Sequence, residues 1–230
     1  MDVHDQLFTS LNVGSYSSVS VGISGSSGNR DSQNYGLELN STHRGDRFTW
    51  QFSGEINDTQ TEGVKTDEQE KAQVRAIAHL TDKHGIEVFT QYQRDVLEGL
   101  SKHTEGGIGY RYESKAAPSE KLSYALGVGV VREQVRFITS PTEEQNSRAN
   151  LYVALQTKLG ERSTLTFSAM ATPNVSQWSD WRGESVLTLR VPISEKLSVS
   201  LQTLYDYDAE PEVGIESYNL RYSTGISYSF

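Results

Sequence analysis

The 230-residue chain contains no cysteine, which excludes disulfides and thiolate metal sites. Methionine (two) and proline (five) are scarce. No stretch approaches the roughly 20 apolar residues that a membrane-spanning helix needs. Basic residues are in the minority, 21 Lys and Arg against 30 Asp and Glu, for a formal net charge of -9. That balance speaks against a nucleic-acid partner, which calls for a basic patch. The opening MDVHDQLFTS has neither the basic nor the apolar region of a signal peptide. Its Met therefore reads as a start placed on a mature sequence, with residues 1–15 as a periplasmic N-terminal segment.

What the chain does have is alternation. From Ser217 to Phe230 the even positions are Tyr218, Leu220, Tyr222, Thr224, Ile226, Tyr228 and Phe230, and the odd positions are small or polar. A period of two describes a strand between two different environments. The pattern recurs over 16–26, 32–42, 46–57, 67–80, 85–96, 101–114, 120–136, 147–159, 162–172, 181–191, 195–208 and 216–230. It predicts twelve strands, with ten or fourteen as the alternatives.

A soluble sandwich or barrel also alternates, with the apolar face inward. Three features point instead to a closed antiparallel transmembrane β-barrel over residues 16–230. The strands are longer than the usual five or six residues and suit a tilted crossing of a bilayer. Connections alternate between short turns (Thr42–Asp46, Thr81–Gly85, Leu159–Arg162, Pro192–Glu195) and longer polar loops (Asp58–Thr66, Ile138–Asn146, Thr172–Asp180, Asp208–Glu216). With short turns placed on the periplasmic side, the aromatics fall at two levels. Phe48, Trp50, Tyr110, Tyr112, Tyr124, Tyr228 and Phe230 form a periplasmic girdle, and Tyr35, Tyr92, Trp181, Tyr205, Tyr207 and Tyr218 an outer one.

If the apolar face meets lipid, the other face lines the lumen. Its acidic residues are Glu38, Glu55, Glu87, Asp95, Glu105, Glu133, Glu184 and Asp206. The basic ones are Lys71, Arg75, Arg111, Arg148, Lys158, Arg182, Arg190 and Arg221, so the signs balance. Small residues, among them Gly107, Gly109, Gly127 and Gly129, leave room for water. Two readings stand side by side: a narrow, weakly selective polar channel, or a hydrogen-bonded, ion-paired filling that satisfies every interior charge. In the second case the long loops would bind lipopolysaccharide or a protein partner. An enzyme is a distant third. His103, with Glu105 two residues on and Asp95 on the neighbouring strand, is the one acid–base cluster. There is no nucleophile motif and no metal-ligand spacing of the H-x-x-x-H kind, so neither cofactor nor metal is expected.

The segments Ser24–Asn29 (SGSSGN), Thr104–Tyr112 (TEGGIGYRY), Leu126–Val130 (LGVGV) and the closing YSTGISYSF resemble the YdiY-like, salt-induced outer-membrane protein family, over residues 16–230. The resemblance implies a bacterial outer-membrane barrel tied to osmotic or ionic stress, surrounded by lipid and lipopolysaccharide. It carries over no catalytic residues. The closing Phe230 resembles the C-terminal signal that the barrel-assembly machinery reads.

Overall fold

The computed structural model describes residues 13–26, 32–96, 99–114, 122–140, 142–160, 162–211 and 214–229. They form twelve strands and no helix: β1 (Gly14–Ser26), β2 (Ser32–Arg44), β3 (Phe48–Thr61), β4 (Val64–His79), β5 (His84–Asp95), β6 (Leu100–Ser114), β7 (Leu122–Phe137), β8 (Glu143–Leu159), β9 (Ser163–Pro173), β10 (Trp181–Pro192), β11 (Leu197–Asp208) and β12 (Tyr218–Ser229). Each strand pairs antiparallel with its sequence neighbours, and β1 pairs with β12, so the sheet closes into a barrel. Closure follows from the solvent: in lipid no water satisfies a free strand edge. Most of the 1–15 segment lies outside the described residues, and Gly14 and Ser15 belong to β1.

The alternation read in the sequence decides which way each side chain points. On β7, Leu122, Leu126, Val128 and Val130 face outward and are exposed, while Ala125, Val131, Glu133 and Val135 are buried inside. The outward apolar face ends at Arg132, giving about 30 Å of tilted strand, the right length for a bilayer core. Glu70 and Arg94, register partners on β4 and β5, and Lys102 and Arg136, partners on β6 and β7, point outward beyond this belt. These strands therefore project above the membrane.

That projection corrects two of the expected loops. Asp58–Thr66 is not a loop: β3 and β4 continue to Thr61 and Val64 and turn through Glu62 and Gly63, both with positive φ (53° and 74°). Two such residues make the tight turn whose twist matches that of paired strands. Likewise β8 starts at Glu143, so the connection after β7 is shorter than Ile138–Asn146. Polar residues on both faces hid these extensions, because above the bilayer the outward face is wet and the alternation vanishes.

Candidate functional site

The lumen divides into a filled half at the end of the short turns, the expected periplasmic side, and an open half at the other end, here called outer. In the filled half, Arg75 on β4 donates to Glu87 on β5 (Nη1–Oε2 3.0 Å). The Tyr152 hydroxyl on β8 donates to the same Oε2 at 3.0 Å, and Arg111 on β6 donates to that hydroxyl at 3.2 Å. Arg111 also bonds Glu113 (3.1 Å), which holds Arg44 of β2 at 3.0 Å. The Arg75 guanidinium lies 5.1 Å from the Phe89 ring centroid and 5.8 Å from that of Tyr152, within range of cation–π attraction. Around them Phe89, Ala125, Val131, Tyr152 and Ala154 form an apolar cluster inside the barrel.

The glycines expected to leave room for water do something else. A Cβ on Gly107 would stand 2.6 Å from the Phe89 ring, and one on Gly127 would stand 2.0 Å from the Tyr152 ring. Ring atoms occupy the space that the missing side chains free. Glycine opposite an aromatic ring is a way of seating the ring flat against a sheet. The result is a floor of aromatic rings and ion pairs across the middle of the lumen.

Above the floor lies a cavity of about 450 Å³, within the range of small-molecule sites. Lys71 on β4 reaches across it to Glu184 on β10, halfway round the barrel, at 3.9 Å. Arg221 on β12 bonds Asp206 at 2.7 Å and faces Asp95 on β5 at 3.5 Å. Glu133 on β7 accepts from Arg148 (2.6 Å), Arg182 (3.0 Å) and Asn146 (3.3 Å) and lies 3.2 Å from His103 Nε2. The lining has carboxylates of Glu105, Glu133, Glu184, Asp206, Asp208 and Glu216 against the cations Lys71 and Arg182. Arg148 and Arg221 pair with Glu133 and Asp206 from beside this lining, so the acidic excess of the outer chamber comes from Asp208 and Glu216, which lie outside the eight-to-eight set.

Of the other sequence candidates, Glu38 and Glu55 line a small recess beside the Lys71 level. Arg190 is half-buried, and Lys158 is exposed at the periplasmic end of β8. The girdle rings face outward. Trp181 and Tyr207 meet at 4.6 Å between centroids, Tyr205 and Tyr218 at 6.3 Å on the outer side, and Tyr112 and Tyr124 at 6.1 Å on the periplasmic side. Phe48, Trp50, Tyr35, Tyr110 and Tyr228 are exposed on the same outer wall, Tyr92 is half-buried, and Phe230 lies outside the described residues.

The expected trio of His103, Glu105 and Asp95 does not assemble. Asp95 is held by Gln69 (2.7 Å) and Arg221, and His103 turns to Glu133, with Glu105 at 3.9 Å. The ligand atoms of His103, Glu105 and Glu133 fall within 4.8 Å of one another. Glu133 already answers two guanidinium groups, however, and a divalent ion there would stand beside both. The trio has the chemistry of an ion-paired network. The floor residues Phe89, Tyr152, Arg44 and Glu113 were missed as site residues, although their inward parity was readable once the strands were drawn.

The family model for a protein of unknown function, DUF481, matches residues 19–230. The chain belongs to the DUF481 family. This is the function-undefined family to which the sequence resemblance points. No curated protein matches this DUF481 chain. Among solved structures it is similar to the COG4313 outer membrane channel from Pseudomonas putida F1 (12% identity, 96% of this chain and 97% of that one, TM-score 0.58). It is also similar to the NanC porin (12% identity, 93% and 98%, TM-score 0.56) and to the translocator domain of the autotransporter NalP from Neisseria meningitidis (12% identity, 98% and 91%, TM-score 0.54). At these identities the likeness is one of fold, and the fold is that of outer-membrane barrels.

Proposed function

We propose that this DUF481 protein is a narrow channel of the bacterial outer membrane for small polar or cationic solutes, closed at rest. The observation that carries this is the chamber of about 450 Å³ with its surplus of carboxylates, set directly above a floor of side chains rather than backbone. Side chains on rigid strands can swing aside without breaking the barrel, and the acidic lining concentrates cations at the barrier. The solved channel and porin of like fold support the reading by analogy. The floor itself favours a second reading, a non-conducting barrel whose outer surface engages lipopolysaccharide or a protein. Planar-bilayer recording separates them. Under the channel reading the wild type gives small, infrequent openings, and Phe89→Ala/Tyr152→Ala gives larger and more frequent ones. Silence of both proteins over a range of salt and voltage overturns it.

A salt-linked role belongs to the same proposal. Exposed pairs such as Lys65–Glu68 (2.9 Å) weaken as salt rises, whereas buried pairs of the Arg75–Glu87 kind are screened much less. The salt link that the sequence resemblance implies is proposed for the amount of protein made: the cellular level of the barrel should rise with added NaCl, and an unchanged level overturns the link.

A further inference from the structure

One rung above the floor, four inward residues stand in register across four strands: Ser53 on β3, Gln73 on β4, Gln91 on β5 and Glu105 on β6. The next inward residues below the last three are Arg75 and Phe89 of the floor and Gly107, against which Phe89 is seated. Gln73 is 3% exposed, and neither its Oε1 nor its Nε2 has a hydrogen-bond partner among the described residues. Gln91 is 5% exposed, and no hydrogen bond reaches its side chain there either. The Glu105 carboxylate meets no cation but His103, at 3.9 Å. A buried amide open at both ends is costly unless something that enters the barrel satisfies it.

Gln73 lines a recess of about 10 Å³ together with Ser53 and Gln91, room for one water-sized group. Gln91 and Lys71 line both this recess and the outer chamber, so the recess is a side pocket of the chamber. Its carboxylates are already served: Glu38 accepts from Asn40 and Glu55 from Asn57, each at 2.6 Å. The open groups are the amides, which donate and accept at once. A cation brings donors only and leaves the amide N–H groups unmatched. An anion leaves the amide carbonyls unmatched and faces Glu105. A urea offers a recess of this size one end at a time, a donor or an acceptor. A hydroxyl does both from a single atom. We propose that this rung is a binding site for a neutral polyhydroxylated solute, with one hydroxyl in the recess between Gln73 and Ser53 and others on Gln91 and Glu105. The rest of the solute lies in the chamber of about 450 Å³. The site deepens the channel reading by naming what the chamber takes. It rests on the open chamber of that reading but not on conduction.

Equilibrium dialysis of radiolabelled sorbitol against the refolded barrel in detergent micelles reads binding apart from conduction. Expected is saturable binding at one site per barrel, undisturbed by excess choline or urea. Gln73→Met keeps the side chain's shape and exchanges the open amide for an apolar group, a change that a buried unpaired amide makes nearly neutral for folding. The variant should keep the anomalous migration of a folded barrel on an unboiled SDS gel and should bind sorbitol about tenfold more weakly or worse. Gln73→Met/Gln91→Met should bind none. If Gln73→Met loses the folded migration, Gln91→Met carries the same comparison. No saturable binding to the wild type leaves the recess to water and overturns the site. Equal affinity in wild type and variant places the solute elsewhere, and displacement by choline makes the site one for cations; either also overturns it. Sorbitol binding by a barrel that stays silent in planar bilayers would sink the channel reading and keep this one.

Discussion

Tyr152 stands where the side chain of residue 127 would be: a Cβ added to Gly127 would lie 2.0 Å from a carbon of the Tyr152 ring. The ring in turn carries the hydroxyl that joins Glu87 to Arg111. One missing side chain on β7 therefore sets the position of a hydrogen-bonded group that spans the lumen.

Gly127→Ala should push the ring out of its seat. Overpacking of this kind costs about 1–3 kcal/mol. The intact barrel should migrate anomalously on an unboiled SDS gel, and the temperature at which that shift is lost should fall in Gly127→Ala. Adding Tyr152→Ala should restore part of the loss, because the clash then disappears. A double variant no more stable than Gly127→Ala alone would contradict the assignment.

Glu87 faces two guanidinium groups at once. Glu87→Gln removes the charge and leaves Arg75, 1% exposed, and Arg111 in the barrel interior. Breaking a buried pair from one side costs about 3–5 kcal/mol. Urea unfolding in lipid vesicles should show this loss, and Glu87→Gln/Arg75→Met should be less destabilised than Glu87→Gln alone.

The carboxylates of the chamber should set ion preference. In an asymmetric KCl gradient, openings of Phe89→Ala/Tyr152→Ala should reverse at a potential on the cation-selective side. Adding Glu184→Gln and Asp206→Asn should move that reversal towards zero. An anion-selective reversal in the parent would refute the acidic bias of the lining.

The β3–β4 turn projects beyond the membrane and carries its own pH sensitivity. The Lys65 ammonium, within hydrogen-bond reach of Glu68, holds that carboxyl below its usual range. A depressed carboxylate contributes above its unfolded pKa, and the contribution is lost as pH falls through the lower folded value. Amide exchange protection near Thr66 should therefore drop in acid below about pH 4.5. Glu68→Gln should lower protection at neutral pH to the acid level and should leave the acid value unchanged.

Twelve strands and their facing were legible because lipid imposes a period-two code on every crossing, as Leu122, Leu126, Val128 and Val130 display. The code stops where the wall leaves the membrane. That is why the hairpin through Glu62 and Gly63 read as a loop. It also gives the direction of an inward residue but not its reach. Gly107 and Gly127 looked like empty space, and only the sheet register brings Phe89 and Tyr152 into it. In the same way Glu133 was legible as a lumen charge, while its four partners converge on it from β6, β8 and β10.

The sequence by itself therefore determined the kind of wall: strand number, lipid face and polar lining, all of which follow from local alternation against a two-phase environment. Only the tertiary structure decided what the wall encloses. Whether a lumen is open depends on which side chains meet across it, and those meetings are fixed by closure and stagger of the barrel and not by any local stretch of chain.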